Sequence, residues 1–298
     1  MTRAAAKLRH CMKLFLLALS CFFFCLSASA QTDRMMSWED YARHSYRWPY
    51  ILNIYTADGG LLYFGVSHSH DPQSEQFSEI EAFWKQFQPA IAFNEGSTPS
   101  VDSKTRNEAI QDGGDPGLVS YLAARDNVKV KSMDPTLSDE VAQLRNRFPS
   151  EQLKTFYILR QVPEYDRLPA PKLSLDQYLE TWIDDLSKVP GLSGPPNSIS
   201  ELRSNFAKHF PDKGPYREAA ATLVDPAATG TVFNEISRAS SEYRDRFMAN
   251  LIVETVCDHK RVFAVVGGSH VVMQEAAIRK LLTQECGDGR NHADTRSK

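Results

Sequence analysis

The sequence predicts an α/β protein built on a central, mostly parallel sheet with flanking helices and a helical insertion or cap. Short apolar runs alternate with segments of helical periodicity in the first half of the chain, and this alternation is typical of βαβ units. One more apolar run, followed by a helical pattern, lies near the end. Between them, over residues 138–240, strand patterns give way to helical segments separated by prolines, which predicts the insertion.

Residues 1–30 have the composition of a secretory signal peptide. Four basic residues and no acidic residue accompany an apolar run over 14–26, and Ala28-Ser29-Ala30 forms a small-x-small cleavage site. The run is too short for a transmembrane helix, and no later segment approaches eighteen uninterrupted apolar residues. We therefore expect a periplasmic or secreted protein that is cleaved after Ala30. A lipoprotein acylated at Cys21 is disfavoured, because Ala18-Leu19-Ser20 is a poor lipobox.

The mature chain would be mildly acidic. Cleavage leaves 268 residues with 30 basic and 37 acidic side chains, a net charge of about −7. No basic stripe is visible, which argues against nucleic acid or an anionic membrane as the main partner. A small-molecule or peptide substrate fits the composition better.

The predicted core begins with residues 31–137, the N-terminal half of the α/β unit. A short helix is expected over 38–47, and a hairpin joins strands 50–56 and 61–66 across Asp58-Gly59-Gly60. Apolar residues at helical spacing over 77–87 predict a helix that Pro89 stops. A strand over 90–93, a helix over 116–125 and a strand over 128–133 complete a βαβαβ series.

The second half contains the insertion, residues 138–240, and then the C-terminal part of the core, residues 241–286. Within the insertion, 151–160, 174–187 and 198–209 have helical patterns. A long helix over 232–256, a strand over 262–266 and a helix over 271–282 follow. The polar tail, 287–298, is expected to be disordered.

Two cysteines remain after signal cleavage, Cys257 and Cys286. In an oxidising compartment a lone pair of cysteines predicts a disulfide. Cys257 ends the long helix just before the last strand, and the last helix must run back along that strand to pack on the sheet. This path returns Cys286 toward Cys257.

The main functional signal is a duplicated Gly-x-Ser-His sequence. Gly65-Val66-Ser67-His68 and Gly267-Gly268-Ser269-His270 each follow a buried strand pattern. In an open α/β sheet, ligands bind beyond the carboxyl ends of the strands. His68 and His270, about 200 residues apart, could therefore face one site.

Each of the other site candidates has a structural alternative. His68 and His70 point to the same face if the backbone is extended, which would suit a divalent metal, although a strand-end histidine bonded to nearby backbone is as common. Glu95 ends a strand and could be a ligand or a general base, or only an exposed loop acid. His270 opens the last helix, where it could simply cap or pack.

Arg244 is predicted to lie on the packed side of the long helix, one turn before Phe247 and Met248. A guanidinium there requires an anion: Glu95, a ligand carboxylate or a phosphate would satisfy it. A structural ion pair is the alternative. Arg246 is expected to be more solvated.

Several other chemistries are disfavoured. A serine hydrolase is unsupported because no Gly-x-Ser-x-Gly sequence is present and adjacent strand residues point to opposite faces. Phosphate-binding glycine loops of the Gly-x-x-x-x-Gly-Lys and dinucleotide types are missing from the sequence. Zinc bound by cysteines is excluded if the two remaining thiols pair.

These motifs together resemble the superfamily that includes the TraB, PrgY, GumN and Tiki proteins, with erythromycin esterases and ChaN-like haem-binding proteins as more distant relatives. The resemblance covers about residues 60–283. It rests on the two Gly-x-Ser-His sequences, on Asn94-Glu95 after a short strand, and on Arg244-Asp245-Arg246-Phe247-Met248 in the late helix. It implies that His68, Glu95, Arg244 and His270 surround one pocket. His70 departs from the usual first motif and leaves the metal arrangement open.

The leading functional hypothesis is a metal-assisted hydrolase of peptide or ester bonds. In it, His68 and His270 position Mn, Co or Zn or activate water, Glu95 is the base, and Arg244 holds the developing oxyanion. The alternative is a non-catalytic protein that binds haem or another small ligand with the same histidines. A His-x-His amidohydrolase-type barrel is disfavoured because residues 138–240 do not supply the strands that it requires.

Overall fold

The computed structural model describes residues 35–56, 59–96, 98–102, 104–170, 172–258 and 260–286. The described helices and strands belong to one compact unit that begins at Met36. The expected signal peptide, residues 1–30, and the expected disordered tail, residues 287–298, lie outside the described residues.

A five-stranded, mostly parallel sheet forms the centre of the unit, which confirms the predicted α/β class. Its strands are β1 (Tyr50–Tyr55), β2 (Gly60–Val66), β3 (Ile91–Asn94), β4 (Lys129–Ser132) and β5 (Arg261–Gly267). The order is β1-β2-β5-β3-β4. Only the β1–β2 pair in this sheet is antiparallel, and the remaining pairs are parallel. The carboxyl ends of β2 to β5 and the start of β1 therefore lie at one edge.

Eleven helices are described, and most follow the predicted periodicity. They are α1 (Trp38–Ala42), α2 (Glu75–Phe87), α3 (Arg106–Arg125), α4 (Leu137–Leu144), α5 (Ser150–Leu159), α6 (Gln161–Arg167), α7 (Leu175–Ser187), α8 (Ile199–His209), α9 (Tyr216–Leu223), α10 (Val232–Cys257) and α11 (Gly268–Glu285). Apolar residues of α2 and α3 pack in one core with side chains of β2, β3 and β5. On the other face of the sheet, Tyr63 of β2 reaches Gln274 of α11. Helices thus cover both faces, as a parallel sheet requires.

Two helix boundaries differ from the prediction by five residues or more. Helix α1 ends at Ala42 rather than near residue 47. Helix α3 begins ten residues before the predicted start at Pro116, because Thr105 and Glu108 form a capping box. The two parts of α3 meet at Gly114, whose φ of +58° is outside the helical region and favours glycine. Pro116 therefore begins the second part of a kinked helix.

The described residues between β4 and β5 form helices and contain no strand. Their buried side chains make a second hydrophobic core, which extends from Val141 to Ala239 and involves helices α4 to α10. This core is distinct from the one between α2, α3 and the sheet. The helical region therefore has apolar packing of its own.

Helices α10 and α11 pack against each other and end close together. The sulfur atoms of Cys257 and Cys286 lie at disulfide distance, with their Cα atoms 5.1 Å apart. This separation is within the usual disulfide range, as the sequence predicted. A bonded pair is compatible with a secreted protein. Of the helices described, none has the length and apolar character needed to span a bilayer.

Candidate functional site

Glu95 is the centre of a charged cluster at the carboxyl edge of the sheet. It directly follows β3, and its Oε1 accepts a hydrogen bond of 2.7 Å from Arg244 Nη2. Its Oε2 accepts a hydrogen bond of 2.7 Å from the backbone N–H of Gly267, the last residue of β5. His68 Nε2 lies 3.3 Å from Oε2, and His270 Nε2 lies 3.4 Å from Oε1. The structure thus brings His68, Glu95, Arg244 and His270 together.

His68 is held by a carboxylate and a glutamine. Its Nδ1 is 2.9 Å from Asp115 Oδ2, and Asp115 lies at the kink of α3. Gln76 Nε2 donates to Asp115 Oδ1 and to the carbonyl of Ser67. The Ser67 N–H in turn donates to Gln76 Oε1. The loop after β2 is thereby fixed to α2 and α3.

His270 is held in the same manner on the other side of Glu95. Its Nδ1 is 2.6 Å from Asp245 Oδ1, which also accepts a hydrogen bond of 2.7 Å from Gln274 Nε2. Gln274 Oε1 accepts a hydrogen bond of 3.0 Å from the Tyr63 hydroxyl. Asp245 and Gln274 are buried. Two His-Asp-Gln sets, one from each Gly-x-Ser-His sequence, therefore present their Nε2 atoms to the same carboxylate.

Arg244 is committed to acidic partners within the protein. Besides Glu95, its Nε and Nη2 lie 2.9 and 2.8 Å from Asp134 Oδ1. Asp134 follows β4, and its Oδ2 accepts a hydrogen bond of 2.7 Å from the Gly96 N–H. The Arg244 side chain is only 7% exposed. Of the alternatives left open for Arg244, these contacts favour Glu95 and a structural ion pair over an external anion.

The neighbouring charges shift the pKa values of the three central groups. Burial alone would raise the pKa of Glu95, but His270, Arg244 and His68 hold it well below its usual value. Burial alone would lower the pKa of His68, but Asp115 and Glu95 raise it to about 10. Asp245 and Glu95 likewise outweigh burial and raise the pKa of His270 to about 9. At neutral pH the cluster therefore contains an ionised glutamate between two protonated histidines.

The cluster opens to solvent at His68. The exposed fraction of the side chain is 35% for His68, 15% for Glu95 and 7% for His270. Gly267 has no Cβ, and this keeps the space between His68 and Glu95 free. A Cβ at this position would lie 3.0 Å from His68 Nε2 and 3.3 Å from Glu95 Oε2. A bound molecule would therefore meet His68 first and Glu95 behind it.

His70 is not part of this cluster. Its Nδ1 is 3.0 Å from the Gln111 carbonyl, and its Nε2 faces Glu164 Oε1 at 3.9 Å. The contact with Glu164 is the largest factor raising the pKa of His70. Residues 67–71 lie beyond the end of β2, so strand alternation no longer directs His68 and His70 to one face. Within the described residues, no three His, Cys, Asp or Glu side chains are arranged as a metal-ligand set.

The prediction that Phe247 marks the packed side of α10 was wrong. Phe247 is 40% exposed, whereas Arg244, Asp245 and Met248 are buried. Asp245 lies three residues before Met248, so helical spacing indicated that it is buried. Asp245 was nevertheless not identified from the sequence as a partner of His270. Four other cluster residues were also missed: Asp115, Asp134, Gln76 and Gln274. Asp115, directly before the helix-starting Pro116, had a recognisable local signal.

No protein-family model, curated protein or solved structure matches this chain.

Proposed function

We propose that this protein is a periplasmic or secreted hydrolase of the TraB, GumN and Tiki type, which cleaves a peptide or ester bond by attack of water. The observation that carries the proposal is the position of Glu95 between two histidines, each anchored through Nδ1 by a buried aspartate. A carboxylate and imidazoles in fixed contact are groups that transfer protons in hydrolysis. Their place beyond the carboxyl ends of parallel strands is the usual position of such sites.

The contacts suggest a different role for each group. Glu95, ionised at neutral pH, orients the attacking water and accepts its proton as the general base. His68 is protonated and is the most exposed member, so it donates a proton to the leaving group. Arg244 and His270 are buried and fix the position and charge of Glu95. Arg244 is thus assigned to Glu95 rather than to an oxyanion.

A divalent metal is the second way in which these residues could act, and it would require the cluster to rearrange, since the described side chains form no metal-ligand set as they stand. Loss of the Nε2 protons of His68 and His270 would expose two imidazole lone pairs beside the Glu95 carboxylate, a His₂Glu set of the kind that binds zinc. The two protons lost carry the same charge as one divalent ion, so the net charge of the cluster and its surrounding carboxylates would be unchanged. The aspartates on Nδ1 are the usual outer partners of ligating histidines. Bound Mn²⁺, Co²⁺ or Zn²⁺ would polarise the substrate carbonyl.

The test compares purified protein lacking residues 1–30 with its Glu95→Gln variant. Ester and peptide libraries are screened by mass spectrometry, in chelator and after addition of each metal. We expect Glu95→Gln to lower the hydrolytic rate by ~100-fold or more with the fold retained. His209→Ala, at an exposed position at the end of α8, is the matched control and should retain full activity.

Equal turnover by wild type and Glu95→Gln would remove Glu95 from the chemistry. Metal analysis and an absorbance scan of the same sample test the cofactors. A Soret band that disappears in His68→Ala, together with no turnover, would support the haem-binding alternative instead.

A further inference from the structure

Trp48, a large aromatic residue just before β1, has no role in the proposed hydrolysis. Trp48 precedes β1, whose first residue, Tyr50, pairs with Gly65 near the end of β2. Because β1 runs antiparallel to β2, its start lies at the same edge of the sheet as His68 and Glu95. Topology therefore places Trp48 at the edge that carries the charged cluster.

Trp48 is also tied directly to the junction between β5 and α11. This junction contains two consecutive glycines, and each makes room for a different group. Gly267 lies against His68 and Glu95, whereas a Cβ on Gly268 would overlap the Trp48 ring. The indole of Trp48 therefore packs on the backbone of Gly268, the residue that follows Gly267, and Gly267 contacts Glu95.

Trp48 nevertheless remains 38% exposed. Tyr46 lies beside it, with ring centroids 6.4 Å apart, and Tyr46 in turn stacks on Tyr41 at 4.9 Å. An exposed indole held by backbone and aromatic neighbours offers a rigid apolar surface at little entropic cost. Such a surface discriminates substrates by apolar contact.

We propose that Trp48 is a specificity-determining residue that contacts an apolar group of the substrate on the leaving-group side of the scissile bond, because His68, the proton donor to the leaving group, follows the strand next to β1. The proposal rests on the proposed hydrolase function. His68, Glu95 and Arg244 supply charged groups, and none of them can bind an apolar substituent. Trp48 supplies the missing apolar contact beside them. The expected substrate class is therefore an ester or peptide with an aliphatic or aromatic leaving group.

The kinetic test uses methyl acetate and hexyl acetate, which share the acetyl group and differ only in the length of the leaving alcohol, with turnover followed by titration at constant pH. Trp48→Ala should lower kcat/KM for hexyl acetate by ~10-fold or more, mainly through KM, and should leave kcat/KM for methyl acetate within ~2-fold. Tyr55→Ala is the matched control, because Tyr55 is 46% exposed but lies at the opposite end of β1. Equal losses for both esters in Trp48→Ala would overturn the proposal.

A second test does not depend on activity. The chain has four tryptophans, so protein labelled with 5-fluorotryptophan should give four fluorine resonances, and Trp48→Phe assigns one of them. Hexyl acetate should shift the Trp48 resonance at concentrations where methyl acetate does not. If neither ester is cleaved, the hydrolase function fails for esters, and this titration alone decides the role of Trp48. A Trp48 resonance that hexyl acetate leaves unmoved refutes the contact.

Discussion

The charged cluster should make the protein lose stability as the pH rises above neutrality. The pKa of His270 is 6.5 in its unperturbed state and about 9 in the folded protein. A group with a raised folded pKa stabilises the fold fully below its unfolded pKa, and this contribution is lost as the pH rises through the folded pKa. For His270 the window of loss is therefore pH 6.5 to about 9.

The size of the loss follows from proton linkage. Inside this window His270 alone makes the folded state bind about one proton more than the unfolded state, and this proton lowers the free energy of unfolding by ~1.4 kcal/mol per pH unit. Over the whole window His270 accounts for about 3 kcal/mol. His68, with a pKa of about 10, acts in the same direction. Its contribution is smaller than its pKa implies, because its side chain is 35% exposed and solvent screens the charges.

Glu95→Gln is the decisive perturbation, because it removes the shared negative charge and keeps the side-chain shape. Asp245 remains on His270 and Asp115 on His68, so both histidine pKa values should fall part of the way toward 6.5. We expect the loss of stability between pH 6.5 and about 9 to be roughly halved in this variant. Urea unfolding followed by tryptophan fluorescence, at closely spaced pH values with the disulfide intact, measures the slopes.

His209→Ala should reproduce the wild-type slope, since this exposed histidine belongs to neither His-Asp-Gln set. A wild-type unfolding free energy that stays constant from pH 6.5 to 9 would show that the histidines are not held protonated by the cluster. A Glu95→Gln slope equal to that of wild type would show that Glu95 is not the shared partner. Comparing slopes keeps the test independent of any uniform loss of stability in the variant.

Two further predictions concern stability. Replacing Cys257 and Cys286 together by serine should lower the free energy of unfolding by ~3 to 4 kcal/mol, which is the loop-closure entropy for a separation of 29 residues. Alkylation of the non-reduced wild type should label neither thiol, and two labelled cysteines would contradict the pairing. Lys154→Met should lower the free energy of unfolding in urea by ~1 to 3 kcal/mol, because the buried ammonium donates hydrogen bonds to Ser187, Asn197 and the Gly194 carbonyl, and these groups would lose their donor. An unchanged unfolding midpoint would refute this role.

Local periodicity was sufficient for most of the fold. The apolar runs predicted β2, β3 and β5 because these strands are buried on both faces, and helical spacing predicted α10 to within one residue of its end. The start of α3 was missed because its first part is short of apolar residues and is instead defined by the capping box at Thr105. Sequence periodicity detects burial and is insensitive to a helix that depends on a cap.

The sequence by itself also placed His68, Glu95 and His270 at strand ends, since the end of a buried strand is a local feature. Only the tertiary structure decided which groups meet. Asp115 lies 47 residues from His68, and Asp245 lies 25 residues from His270. Their pairing depends on β5 inserting between β2 and β3, and strand order is fixed by crossovers and by packing across the whole sheet. The same non-local geometry separated His70 from His68, because the loop after β2 turns toward Gln111 and Glu164 where an extended strand would have continued.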